Sequence, residues 1–214
     1  METPIIISED RQKITFLLKN GSEITQPFHP TPKAKTEKMT AALASLLSIS
    51  DDTSTSTNSA PTTPSTSTLS SFGAARWILD PLGDAIHRHL ALSSAEECDR
   101  VERAIMEEAD KMNHHPHIAR VSDDNSQHLK NCLTVTCTTH SPRGLSIRDT
   151  RLAAKIDELL TDVDVTRPIE GSTPGQDSDQ ILQYVTAKRE TSISENRQKI
   201  QDALEKCGCQ NAKS

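Results

Sequence analysis

The chain runs Asn113-His114-His115-Pro116 and later Thr139-His140, then Gly144-Leu145-Ser146. Five of its eight histidines lie between positions 114 and 140. Imidazole has an unperturbed pKa of about 6.5, so it can give and take protons near neutral pH. Aromatic residues make up only 2% of the chain, and packing supplies no reason to gather histidines in one stretch. The chemistry to expect there is general acid–base catalysis by positioned imidazoles.

These histidines need elements to hold them. Ser94 and Glu97 form an S-x-x-E capping box that opens a helix, and Val101, Ile105, Ala109 and Met112 supply its apolar stripe. Pro116 is expected to end that helix, since proline has no N–H for the ladder and restricts the residue before it. Adjacent histidines before a proline should be extended, with diverging rings. Arg76 to Leu79 and the alternating run Ile86 to Leu92 predict two strands around the turn Pro81-Leu82-Gly83-Asp84. Cys132 to Thr139 predicts another, with Leu133, Val135 and Cys137 on one face. A further strand is expected after Pro116. Ser146 and Asp149 make a second capping box, followed by the stripe Leu152, Ala153, Ile156, Leu159 and Leu160.

Ahead of these, Met39, Leu43, Leu46 and Leu47 predict an amphipathic helix over 35–47, and Ile5–Ile7 and Ile14–Leu18 two short strands that pair. The expected fold is α+β: a four-stranded antiparallel sheet with helices packed on one face, in the order α-β-β-α-β-β-α. The chain divides into an N-terminal segment 1–47, a Ser/Thr/Pro-rich insertion 48–71 without Lys or Arg, an α+β domain 72–162, and a polar extension 163–214. The insertion is expected to be disordered, because it has too little apolar surface to offset its ordering entropy. Residues 177–206 are expected to form a surface helix through Ile181, Leu182, Val185 and Ala187.

The net charge of −6 argues against a nucleic-acid surface, which needs clustered cations. No apolar run is long enough to cross a bilayer. The start, Met1-Glu2-Thr3-Pro4, has neither a signal nor a transit pattern, so a soluble intracellular protein is expected. The five cysteines then read as reduced, mostly structural thiols, with a redox or metal role for Cys207-Gly208-Cys209 as the alternative. A zinc site is the competing chemistry, from His114, His115, His117 and His140 with Cys132 or Cys137 nearby. Their spacing matches no compact ligand motif, and neighbouring extended residues do not converge on one ion.

Several short motifs in order, Asp84-Ala85-Ile86-His87-Arg88, Lys111-Met112-Asn113-His114-His115-Pro116, Thr139-His140 and Gly144-Leu145-Ser146 with Asp149, give the chain its family likeness. Over residues 75–160 it resembles the pterin-4a-carbinolamine dehydratases, and Trp77 falls where that family keeps a tryptophan. The resemblance implies a four-stranded antiparallel sheet with helices on one face, and a hydro-lyase that dehydrates 4a-hydroxytetrahydropterin to quinonoid dihydropterin in tetrahydrobiopterin recycling. It places the catalytic histidines at His114, His115 and His140. Asp110 takes the position of an acidic residue near the pterin, Asp149 that of a supporting acid, and Trp77 that of a pocket wall or core residue. Of the three histidines, His115 is the first choice for proton transfer, with His114 and His140 as acid or orienting partners. No cofactor and no metal is needed.

Asp149 also has a purely structural reading as a capping acid. His117 and His128 have no counterpart in the family pattern and are expected to be solvated loop residues. His87 and His89, opposite Ile86 and Leu90, are expected to be exposed. Where the family has Asp and a Gly-Gly pair, this chain has Ser141-Pro142-Arg143 and Gly144, so the loop after His140 should follow a different path. Extra residues around Ser122 to His128 imply a longer loop between two strands. The expected partner is a small pterin substrate, with no direct nucleic-acid or membrane contact. The resemblance also implies a homo-dimer or tetramer in the cytoplasm. The alternative is a protein-interaction module, since some family members are dimerisation cofactors of a transcription factor, which would add the nucleus.

Overall fold

A computed structural model describes residues 4–18, 21–47, 77–121, 131–161, 163 and 178–206. The insertion at 48–71, His128 with the loop at 122–128, and Cys207 and Cys209 lie outside the described residues. Among the described residues no helix is long and apolar enough to cross a membrane.

The first three strands form an antiparallel meander: β1 (Ile5–Ile7), β2 (Lys13–Leu17) and β3 (Glu23–Pro27). Ile7 pairs with Ile14 and Thr15 with Thr25, so the two apolar runs pair as expected and a third strand joins them. Helix α1 (Thr36–Leu46) follows and buries Met39, Leu43, Ala44 and Leu46.

The second sheet contains β4 (Ile78–Leu79), β5 (Ile86–Ala91), β6 (His117–Val121) and β7 (Cys132–Cys137), all antiparallel in the order β4-β5-β7-β6. Helix α2 (Ala95–Met112) joins β5 to β6, and α3 (Ile147–Leu159) follows a small hairpin of β8 (Thr139–His140) and β9 (Arg143–Gly144). From α1 to α3, leaving aside that hairpin, the order is the expected α-β-β-α-β-β-α.

Because successive strand side chains point to opposite faces, Ile86, Leu90, Leu133, Val135 and Cys137 share one face of the sheet. They join Val101, Ile105 and Ala109 of α2, Leu152, Ala153 and Ile156 of α3, and Met39 and Leu43 of α1 in one apolar cluster. Ile14 and Phe16 of β2 belong to the same cluster. Three helices therefore cover this face.

The other face is covered too. Helix α4 (Ser178–Lys206) lies across β6 and β7 and buries Ser192, Asn196 and Ile200, so it is more than a surface helix. Asn196 donates to Thr136 Oγ1 at 2.8 Å and to the Thr134 carbonyl at 3.0 Å. Thr136 Oγ1 lies 2.8 Å from His87 Nδ1, and His87 Nε2 donates to Asp80 at 2.7 Å. Arg197 pairs with Asp80 and, at 2.7 Å, with Asp84, while Arg143 reaches Asp84 at 2.8 Å. His87 is thus fully buried rather than exposed, and His89 is half-buried with Nδ1 2.9 Å from Thr134 Oγ1. A polar helix covers the face on which the alternation pattern leaves them open.

Candidate active site

The last turn of α2 aims the paired histidines. The helix ends at Asn113, whose φ of 50° is left-handed, three residues before Pro116. Asparagine tolerates that conformation better than most residues. The amide of His114 bonds the Ala109 carbonyl at 3.0 Å and that of Asn113 the Asp110 carbonyl at 3.1 Å, the double closure of a Schellman turn. The chain then leaves extended, and the two rings diverge.

His114 turns inward, where its Nε2 lies 2.6 Å from Oδ1 of the fully buried Asp149. A carboxylate only accepts, so Nε2 of His114 carries a proton, and in the neutral form of the ring the lone pair is on Nδ1. His115 turns outward and donates from Nε2 to Asp110 Oδ1 at 2.7 Å, an exposed pair one turn back on α2.

Asp149 sits in the first turn of α3 because Ser146 caps that helix. Ser146 Oγ accepts from the Arg148 amide at 3.2 Å, and Asp149 Oδ2 accepts from the Ser146 amide at 2.7 Å. The same Oδ2 takes the Thr139 hydroxyl at 2.8 Å. One carboxylate therefore ties the end of α2, the start of α3 and strand β8 together. The next residue on β8 is His140, whose turn to β9 passes through Ser141 and Pro142.

His140 Nε2 lies 2.8 Å from His117 Nε2, with ring centroids 4.9 Å apart. His117 belongs to β6, whose edge pairs with Thr136, so it is a strand residue and not a solvated loop residue. Burial lowers the pKa of His140; the Asp149 charge works against this and His114 adds to it. Burial, with His140 and Lys199 beside it, brings His117 down to about 4. Both rings are neutral at pH 7. Lys199 is held over β6 by the Ile118 carbonyl at 2.8 Å.

His114, His140 and Asp149 are thus brought together, with Thr139 and His117 added to them. His115 and Asp110 form a separate, solvent-facing pair. Trp77 is fully buried, donates from Nε1 to Asp157 at 2.8 Å, and lies 6.0 Å from the Arg88 guanidinium. Asp157 is eight residues beyond Asp149, about 12 Å along α3, so Trp77 packs in the core away from the histidine cluster. Among the described residues no group of three His, Cys, Asp or Glu side chains has the arrangement of a metal site.

His117 is the residue that reading the sequence missed. Its signal was present, since His117, Ala119 and Val121 alternate with Ile118 and Arg120. Thr139 was visible only as the neighbour of His140.

Comparison with known proteins agrees with the motifs. Residues 62–159 match the family model described as pterin 4 alpha carbinolamine dehydratase. Among solved structures, a "transcriptional coactivator/pterin dehydratase from Brucella Melitensis" is similar at 23% identity and a TM-score of 0.34, over 39% of this chain and 81% of that one. Among curated proteins none matches. The matched segment, 62–159, carries all three motif histidines and both carboxylates.

Proposed function

We propose that the chain is a hydro-lyase that dehydrates 4a-hydroxytetrahydropterin to quinonoid dihydropterin. The reaction expels the 4a-hydroxyl as water, which needs a proton delivered to the leaving oxygen and another removed from a ring nitrogen. Positioned imidazoles can do both, contributing roughly 10²–10⁴ in rate. At about 1.36 kcal/mol per decade this takes some 3–5 kcal/mol off the barrier. Proton transfer alone completes the balance, with no electron exchanged.

The observation that carries the proposal is the buried Asp149 carboxylate, which orients His114 at 2.6 Å and anchors Thr139 beside His140. His114, held with its proton on Nε2, offers Nδ1 as a base. His140, kept neutral by burial, is an N–H donor that hydrogen-bonds the leaving oxygen, and His115 on the open side is the residue able to take a proton from solvent and deliver it. Asp110 holds His115 and stands ready for the amide and amino edge of a pterin. A pure interaction module has no use for an imidazole held by a buried carboxylate.

The test is turnover of a 4a-carbinolamine generated in situ. Purified protein should speed its breakdown, and His114→Ala, His115→Ala and His140→Ala should each remove most of the gain. Unchanged rates in all three variants overturn the proposal.

A further inference from the structure

Two neutral imidazoles that meet Nε2 to Nε2 at 2.8 Å hold one proton between those two atoms, because one nitrogen must donate and the other accept. The tautomers of the two rings are therefore coupled. If His117 carries its proton on Nε2, His140 must carry its own on Nδ1, and the reverse arrangement inverts both.

We propose that His117 is a positioning residue for His140: it donates its Nε2–H to His140 Nε2 and so fixes His140 as the Nδ1–H tautomer, an N–H donor toward the substrate. This rests on the dehydratase reading above and deepens it by assigning His140 a hydrogen-bond donor role toward the leaving oxygen at a stated atom. During turnover the Nδ1–H of His140 would hydrogen-bond the departing 4a-oxygen and stay on the ring, while the proton that completes the water comes from solvent through His115. His117 holds the ring in register and keeps its own proton.

The surroundings of the pair favour this direction of donation. His140 faces Asp149, which favours positive charge on its ring, and His114, which opposes it. His117 faces His140 and the Lys199 ammonium from α4, and both oppose charge on its ring. His140 is therefore the more basic partner and the better acceptor. The backbone at His117 is held from two sides: β6 pairs with β7, and Asn196 and Lys199 of α4 bond the carbonyls of His117 and Ile118 at 3.4 and 2.8 Å.

The test uses the full chain labelled with ¹⁵N-histidine. At pH 7.5, long-range ¹H–¹⁵N spectra should show a protonated Nδ1 and an unprotonated Nε2 on His140, and the opposite on His117. In His117→Phe, His140 should leave the Nδ1–H form. In His117→Gln, whose amide can donate to Nε2, it should keep that form. In the dehydratase assay, His117→Phe should lower kcat roughly tenfold or more with KM little changed, within the span available to acid–base catalysis, and His117→Gln should recover much of it. A wild-type His140 protonated on Nε2, or one whose tautomer ignores His117→Phe, overturns the proposal. Absence of turnover in the wild-type protein with the expected spectra overturns the dehydratase reading instead and leaves the coupling of the two rings established.

Discussion

Asp149 Oδ1 sits 2.6 Å from His114 Nε2 while Oδ2 caps the helix that carries it. One buried carboxylate thus serves a catalytic candidate and a helix terminus, and the two roles can be separated. Asp149→Asn places an amide N–H₂ where only acceptors fit. It should cost about 1–3 kcal/mol by chemical denaturation and lower turnover as well. Ser146→Ala removes the cap, with the hydroxyl's bonds to Asp149 Oδ2 and Thr139 at 2.7 Å, but spares the His114–Asp149 contact; it should cost about 1 kcal/mol and leave turnover close to wild type. An equal loss of turnover in both variants would show that Asp149 acts only through the helix.

The His115–Asp110 pair gives the opposite balance. Both side chains are largely exposed, and exposed ion pairs contribute at most about 1 kcal/mol. Asp110→Asn should therefore leave the denaturation midpoint almost unmoved while changing KM for the pterin or the pH dependence of kcat. Kinetics indistinguishable from wild type would remove Asp110 from the site.

Arg197 fastens α4 to the turn between β4 and β5 through two buried carboxylates, Asp80 and Asp84. Arg197→Met leaves both less compensated and should destabilise the protein by about 3 kcal/mol, the lower end for breaking a buried pair, since His87 and Arg143 still hold them. Urea denaturation followed by far-UV circular dichroism measures it. A change below 1 kcal/mol would mean that the clasp contributes little.

The same clasp fixes a response to acid. Burial raises the pKa of Asp80, but the His87 hydrogen bond and the Arg197 charge outweigh it and bring the group below 3.8. Asp84 is likewise pushed up by burial and drawn below 3.8 by Arg197 and Arg143. Carboxylates depressed in the folded state contribute stability that is full above the unfolded value and lost as pH falls through the folded one. Histidine 117, lowered to about 4, adds a loss that begins as pH drops below 6.5 and is complete near 4. His140, also lowered by burial, adds to that upper loss. Stability should fall in two stages on acidification, and His117→Phe should shrink the upper one.

Gly83 has φ +73°, and a Cβ there would meet the Pro27 carbonyl oxygen at 2.3 Å and Phe28 Cα at 2.5 Å. Gly83→Ala should destabilise by about 1–3 kcal/mol, the scale of overpacking. It should also loosen the His29 amide, which bonds the Gly83 carbonyl at 2.9 Å. Amide exchange at His29 reads this directly, and unaltered protection there would contradict the predicted clash.

Much of the fold was legible because its signals are local. Ser94 and Glu97, Ser146 and Asp149, and the stripes of α1, α2 and α3 each announce an element through a cap or an apolar period. β3 was not legible, because Glu23–Pro27 buries no side chain fully and shows no apolar alternation. His87 was misjudged for a related reason. Its face is covered by Ser192, Asn196 and Arg197 of α4, and a polar covering leaves no trace in the hydropathy pattern. His114, His115 and His140 could be picked out from motifs, yet motifs do not give distances. The meeting of His117 with His140 depends on the register of β6 against β7, set by pairs such as His117 with Thr136, far apart in sequence.

The coverage of the sheet by α4 bears on how the protein is best prepared. The family segment ends at residue 159, whereas the helix that shields His87, Thr134 and Thr136 begins at 178. A truncation at the family boundary would strip that shield, wet a row of threonine hydroxyls, and leave Asp80 and Asp84 without the Arg197 guanidinium. Rates from such a shortened protein would reflect a differently solvated sheet, so the intact chain is the right reference for every variant.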